Sequence, residues 1–503
     1  LSFIKSPRTV FAEKKGNRLY SKVRTPLKPG EYTEYYYPPD TCILSRDDSW
    51  KCFAEKPYLV IPSEGHYLLV VPSWVPVRAG FLVYQSPGWR VYRVDFYAYW
   101  AGLIPEELRG EFKLEPTFKT IRVYGRLVTG SPEELDRLWD RLRGHLLRRE
   151  EEGIRVKRGH VFPLMVELVK MGVLPFTPTP VRFRDVWKTD IVLRDYQEEA
   201  LTFFQERGNV VVLWPPGAGK TYFAVHLIAR LSGKTLIVTP TLSLADQWYR
   251  VLKEHLFGAR VGAWHESMKV EGDVTVTTYQ SAPYFRDRGF ELIVLDECQH
   301  LPSNVFSQIA GFKTKYRLGL TASPYREDGR EALIYALCGF PYGANWHELV
   351  EREVVRKPTV TVVRTWNKYS ALKQVLGMLK GPTLIFCDSI GLGKALEREL
   401  GIPFVYGEHS LRERLKVVEE NERVICSRIF DEGMDLPDIR NVVEVDFLGG
   451  SRRQSLQRVG RLMHSRYRGL KHYILMTPEE LERYGKRLYS LYERDFTVKF
   501  IEA

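Results

Sequence analysis

Residues 209–231 read NVVVLWPPGAGKTYFAVHLIARL. An apolar run, Val210 to Trp214, leads through a Pro/Gly turn into a helical pattern. That order suits a phosphate site. Gly217 and Gly219 remove side chains from the approach path. Backbone N–H groups at a helix start then face the anion, with Pro216 and Ala218 completing the loop. Lys220 would neutralise β and γ phosphates, and the Thr221 hydroxyl would ligate Mg²⁺. The strict G-x-x-x-x-G-K-T pattern fails at its first position, where Trp214 stands. The nucleotide reading therefore rests on the strand–turn–helix context.

A second set of charges stands in ELIVLDECQH, residues 291–300. Asp296 follows a buried-type strand and is placed to hold Mg²⁺ through water. Glu297 beside it is placed to polarise an attacking water. Alone, an acidic pair after an apolar strand is a common solvated strand end. Eighty residues after a phosphate loop, it points to phosphoryl transfer.

These groups need parallel sheets to carry them. Two stretches, about 185–345 and 355–475, alternate buried-type strands with helices, which implies sheets covered by helices on both faces. Residues 1–117 are rich in Tyr, Trp, Val and Pro, with short runs such as HYLLVVP and FLVYQ; they read as an irregular β-rich domain. From 118 the pattern predicts a small βαβα unit. TIRVYGRLVTG is its first strand. SPEELDRLWDRLRGHLLRR is a helix opened by a capping box of Ser131 and Glu134, with Pro132 at the first position. A Pro-spaced linker, VLPFTPTPVRF, follows. The tail, 478–503, predicts an amphipathic helix. The expected domains are 1–117, 118–184, 185–350, 351–477 and 478–503.

The chain has 503 residues, 44% apolar and 27% charged, the composition of a globular protein rather than a disordered one. No run approaches the ~18–20 apolar residues that a membrane helix needs. The start, LSFIKSPRTV, carries no secretory signal pattern. A net charge of +12 favours a polyanionic partner without naming one. Six Cys are too few for a disulfide scaffold. Cys298, Cys387 and Cys426 sit in apolar strand-like runs as core residues. Cys42 and Cys52 face a hairpin pairing or a free state, and a reducing cytosol favours the free state. No CxxC or HExxH occurs, so no metal held by protein ligands alone is expected.

The order of motifs resembles a superfamily 2 helicase, and more closely the XPB family of DNA repair and transcription helicases, its archaeal members above all. LRDYQEEAL (193–201), PPGAGKT, TPTLSLADQW (239–248), TTYQS (277–281), DECQH and GLTAS (319–323) carry the resemblance in the first half. YREDGR (325–330) resembles the family's Arg-Glu-Asp motif, here Arg326, Glu327 and Asp328. TLIFCDS (383–389), SRIFDEGMDLPD (427–438) and SLQRVGRLMH (455–464) resemble the second core domain.

The resemblance implies an α/β fold: two tandem RecA-like domains after the β-rich domain and a small α+β, damage-recognition-like domain. ATP and Mg²⁺ would lie between the two lobes. Arg194 and Gln197 would bind nucleotide, with Gln197 reading adenine. Arg458 and Arg461 would cross the cleft as finger-type cations, and Gln457 would lie near the attacking water. Gly433 and Asp435 would couple nucleotide to strand, and Thr321-Ala322-Ser323 would relay the phosphate state to the hinge.

By the same resemblance the activity is ATP-driven, 3′-5′ DNA unwinding or translocation. Its substrate is a single-stranded/duplex junction. RNA unwinding, or duplex translocation without strand separation, stands as the alternative, and so does a nucleotide-gated scaffold without hydrolysis. A nuclease partner, or a transcription-repair complex, and a cytoplasmic, nucleoid-associated or nuclear location also rest on the resemblance. Thr241, Thr278 and Ser389 are candidate backbone contacts; helix capping gives the same sequence appearance. Arg452 and Arg453 read as outward phosphate contacts in a stretch, 451–473, with seven Lys or Arg and no acid. Tyr35, Tyr36 and Tyr37 suit core packing more than base stacking.

Three departures stand against the family pattern. Gln299 replaces a His, and His464 replaces an Arg for which Arg466 is a possible substitute. Only 54 residues separate Asp328 from Thr383, so the family's helical thumb is shortened or missing.

Overall fold

In the computed structural model the described residues are 10–15, 18–21, 41–44, 50–52, 58–72, 75, 77–85, 89–322, 326, 328–343, 356–430, 436–447, 449, 451–463, 465, 467–493 and 496–503. Only the backbone is described for 10–52 and for Pro72, Trp89, Leu411 and Arg453. The chain divides into two compact units. One comprises 1–115, 450–452 and 483–497; the other comprises 116–449, 453–482 and 498–503.

The first unit is β-rich, as its Val, Tyr and Trp content implies. One antiparallel sheet orders Arg18–Ser21, Val10–Lys15, Thr41–Leu44 and Trp50–Cys52. Cys42 and Cys52 stand opposite each other in its register. A second orders Leu59–Ser63, His66–Pro72, Trp89–Val94 and Phe81–Gln85. Asp95 caps the short helix Phe96–Trp100 by accepting from Ala98 N at 2.9 Å.

In the second unit, residues 122–170 fold differently from the expected βαβα order. TIRVYGRLVTG is a hairpin of two strands, Arg122–Tyr124 and Leu127–Thr129, turned at Gly125 with φ +55°. The helix Pro132–Leu142 ends early, and LLRRE, read as its continuation, is the strand Leu146–Glu150. Gly144 breaks the helical run, and Leu146 enters the core that Leu138, Ile154 and Leu168 share. The result is a four-stranded antiparallel sheet under two helices. Ser131 does cap the first helix, accepting from Glu134 N at 3.3 Å. Glu134 does not close the box; its carboxylate takes Lys119 N and Thr120 N, each at 2.8 Å.

Two parallel sheets follow. The first has eight strands, in the order Met268–Val270, Val261–His265, Val274–Thr278, Thr235–Thr239, Gly289–Leu295, Lys313–Thr321, Asn209–Leu213 and Phe340–Gly343. Only Met268–Val270 runs antiparallel. The second has seven, in the order Phe404–Val405, Arg423–Cys426, Thr383–Phe386, Asn441–Glu444, Lys471–Met476, Thr359–Arg364 and Val498–Glu502. Their central strands are almost wholly buried, because helices cover both faces. Cys298, Cys387 and Cys426 are buried free thiols in these cores.

The tail corrects another expectation. Residues 478–503 form not one amphipathic helix but two short ones, Pro478–Tyr484 and Tyr489–Glu493, and then a strand. Val498–Glu502 pairs in parallel with Thr359–Arg364 as the edge strand of that sheet, so the sheet takes up the backbone groups on its inner side. Among the described residues, no helix is long and apolar enough to cross a membrane.

Candidate active site

The strand Asn209–Leu213 ends at the loop 214–219, and the helix Lys220–Leu231 begins directly after it. Gly217 and Gly219 take φ of +80° and +75°, a region costly for any residue with a Cβ. At Gly219 a Cβ would also stand 2.6 Å from Gln197 Nε2. Trp214, at the position where the strict pattern has Gly, points away from the loop. It is fully buried and makes edge contacts with Tyr196 and Phe223, at ring separations of 5.2 and 5.3 Å. The departure therefore leaves the anion approach clear. Lys220 Nζ donates to the carbonyls of Trp214 and Pro215, at 3.1 and 3.3 Å.

Asp296 lies just past the strand Gly289–Leu295, where parallel-sheet sites form. Burial, then the neighbouring Glu297 charge, raises its pKa to about 7; hydrogen bonding from Trp248 and the Lys220 charge act in the opposite direction. Trp248 Nε1 donates to Asp296 Oδ2 at 2.7 Å, and Glu297 N donates to Oδ1 at 2.9 Å. Glu297 itself adopts φ +46°, uncommon for a non-Gly residue. Gln299 Nε2 donates to Glu297 Oε2 at 2.6 Å.

A cavity of about 660 Å³ joins these groups to the second lobe. Pro216, Gly217, Gly219, Lys220, Thr221, Asp296 and Glu297 line one wall. Gln457, Gly460 and Arg461, from the helix Arg452–Gly460 and the turn after it, line the other. Arg461 also donates to the Phe430 carbonyl. Arg194 and Gln197 line the cavity too, while Ala218 lies buried behind it.

Several expected roles do not fit this geometry. Arg458 does not reach the cavity. It is fully buried and paired with Asp388 at 2.5 Å and Glu444 at 2.9 Å. A guanidinium with two buried carboxylates stays where it is neutralised. Gln197 does not present its amide to a base. Its Nε2 serves the carbonyls of Ala218 and Gly219, each at 3.2 Å, and its Oε1 accepts from Arg194 N at 2.9 Å. With both amide hydrogens spent, the side chain braces the loop.

The expected nucleic-acid contacts are engaged elsewhere. Arg452 is buried, 2.9 Å from Glu493, with its guanidinium over Tyr489. Arg326 donates to the carbonyls of Gln299 and Leu301 and pairs with Asp328. Thr241 and Ser389 cap helices, accepting from Leu244 N and Leu392 N, each at 3.3 Å. Thr278 is a buried strand-end residue, and Thr321 is buried at the end of its own strand. Gly433, Asp435, Glu327, Ser323, His464, Arg466, Tyr35–Tyr37 and the Arg453 side chain lie outside what the structure describes.

Trp248 was hidden in the sequence. On the helix Leu242–His255 it belongs to the buried stripe Leu244, Ala245, Trp248, Val251 and Leu252, which reads as core. His255 and Asp190, paired at 2.8 Å at the cavity wall, gave no sequence signal either, being 65 residues apart.

Comparison with known proteins agrees with this architecture. Residues 190–326 match the family described as the res subunit of type III restriction enzymes. Residues 345–500 match the ERCC3/RAD25/XPB C-terminal helicase family. The second lobe is similar to the XPB C-terminal helicase domain.

Proteins named Rad25 and XPB are similar to about half of this chain. The Rad25 protein of Haloarcula marismortui is 35% identical over 311 residues, covering 54% of this chain and 50% of that protein. The DNA 3′-5′ helicase XPB of Mycobacterium tuberculosis is 29% identical over 324 residues, 55% of this chain and 59% of its own. The DNA 3′-5′ translocase XPB2 of Sulfurisphaera tokodaii is 28% identical over 357 residues, 56% of this chain and 80% of its own. The chain thus spans about half the length of the Haloarcula relative.

Proposed function

We propose that the protein is an ATP-driven DNA 3′-5′ helicase or translocase that works at single-stranded/duplex junctions. One observation carries the reading: Lys220, Thr221, Asp296 and Glu297 share a cavity with Gln457 and Arg461 of the facing lobe. The names of the XPB relatives supply the polarity and the DNA substrate.

The residues fit ATP with Mg²⁺. Two adjacent carboxylates and a hydroxyl are the hard oxygen donors that Mg²⁺ takes, and a buried Asp with a raised pKa gains from a nearby cation. Thr221 and Asp296 would hold Mg²⁺, which would offset charge on the phosphates. Lys220 turns from its loop carbonyls to the β and γ phosphates. Glu297 orients and deprotonates the attacking water, with Gln457 beside it. Arg461 reaches from the second lobe to the developing phosphate charge, a contribution of roughly 10³–10⁵ in rate for this chemistry. Hydrolysis then requires closed lobes, and DNA lying across both biases closure.

Phosphate release measured with and without DNA, on wild type and Lys220→Ala, tests the reading. DNA-stimulated, Mg²⁺-dependent release lost in Lys220→Ala is expected. Equal turnover with and without DNA or RNA overturns the motor reading, and no release at all leaves only a binding scaffold. Translocation along duplex without strand separation is a second reading. The short span between Asp328 and Thr359 favours it, since its described residues hold one seven-residue helix and no thumb-sized insertion. Strand displacement assayed beside triplex displacement separates the two. A nuclease partner belongs to the same proposal and rests on family resemblance alone.

A further inference from the structure

Each acid of the Asp296–Glu297 pair accepts a side-chain N–H from a different element. Trp248, 1% exposed, brings its indole N–H to Asp296 Oδ2 from the helix Leu242–His255. Gln299, 8% exposed, brings its amide to Glu297 Oε2 from the turn that follows. The amide orientation is forced, because a carboxylate only accepts, so nitrogen must face Glu297. That leaves Gln299 Oε1 buried and without a hydrogen-bond partner among the described residues. A buried unsatisfied acceptor is unfavourable, so the contact to Glu297 outweighs that cost in holding the rotamer. The turn is pinned from behind: Arg326 Nη1 donates to the carbonyls of Gln299 at 2.8 Å and Leu301 at 3.1 Å.

We infer that Trp248 and Gln299 are positioning residues that separate the work of the two acids, Trp248 fixing Asp296 for the metal and Gln299 fixing Glu297 for the water. The inference rests on the nucleotide reading above. Adjacent carboxylates left to rotate would both turn to one cation, and Glu297 would then be lost as a base. A side-chain N–H on each, from Trp248 and from Gln299, prevents that exchange. Gln suits the second position because it donates at any pH. The Gln299 departure from the family pattern is thereby an alternative donor rather than a lesion.

Binding and turnover test the two arms separately. A fluorescent ADP analogue is titrated with and without Mg²⁺. Trp248→Phe should lose about tenfold in the tightening that Mg²⁺ brings, with metal-free ADP affinity unchanged. Trp248→His, which keeps a ring N–H, should recover part of it. Gln299→Ala should bind Mg²⁺ and ADP as wild type does, yet lose on the order of 10² in kcat at unchanged KM for ATP. Gln299→His should restore turnover. Melting temperatures of the free variants identify any that fail to fold.

If both substitutions move the same parameter, or Trp248→Phe keeps the full Mg²⁺ response, the division of labour is wrong. Failure of Gln299→His to restore turnover removes the donor argument for Glu297. Wild type that never hydrolyses ATP defeats the proposed function instead, and the metal-binding arm still reads Trp248.

Discussion

Gly460 meets Pro216 across the cleft with no side chain between them: a Cβ on Gly460 would stand 2.6 Å from the Cβ of Pro216. The phosphate loop of one lobe thus rests on the helix end that delivers Arg461 from the other. Gly460→Ala suits a helix end by propensity, so its effect should come from that contact. Lobe closure should be held open by a few tenths of an ångström or more. We expect kcat to fall about tenfold, in keeping with the sensitivity of reaction geometry to small displacements. Nucleotide binding to the first lobe should persist. Turnover kinetics beside equilibrium nucleotide titration check this, and unchanged kcat would show that the lobes close elsewhere.

Arg458 and Arg461 stand three residues apart and should fail in opposite ways. Arg458 neutralises Asp388 and Glu444 in a site that also holds His472, 2.9 Å from Glu444. Arg458→Ala takes the guanidinium away from two buried carboxylates and should cost about 3–5 kcal/mol of stability. Arg461→Ala should melt as wild type does and lose roughly 10³ in turnover. Thermal melts and phosphate release on both variants decide the assignment. A stable, inactive Arg458→Ala would return that residue to the cleft.

His145 and His160 approach to 3.2 Å between their Nδ1 atoms, so one ring must donate and the other must be bare. Burial, then the His160 and Lys157 charges, holds the His145 pKa below its ordinary 6.5, against the opposing pull of Glu167. A folded pKa beneath the unfolded one means the neutral ring is favoured in the fold. The stabilisation is present above pH 6.5 and is lost as pH falls from there toward the folded value. Solvent screening keeps the effect modest, since both rings are half-exposed. Hydrogen exchange across residues 143–160, corrected for intrinsic rates, should quicken between pH 7.5 and pH 5.5. His145→Phe should abolish the difference, and a pH-independent profile in wild type would exclude the contact.

The parallel sheets were legible because central strands, buried on both faces, read as unbroken apolar runs. VVVL before the phosphate loop and LIVL before Asp296 are such runs. LLRRE was misread because its leucines continue the helical spacing of the preceding segment. Only the break at Gly144 and the shared core turn it into a strand. Arg458 was misplaced for a different reason. Two arginines at helical spacing look alike in sequence, and what separates them is the pair of carboxylates at the ends of other strands. Trp248 was invisible as a site residue because its contact with Asp296, 48 residues away, exists only once the chain has folded. Gln299 stood out in the motif as a departure, and its local contact with Glu297 depends on the turn geometry around it.

The resting place of Lys220 carries one more consequence. A long, flexible side chain forfeits up to ~2 kcal/mol of rotamer freedom when it is pinned. Here the carbonyls of Trp214 and Pro215 already tether the ammonium within its own loop. That loss falls on the folding of the chain, and an incoming triphosphate meets a lysine already ordered beside its binding place.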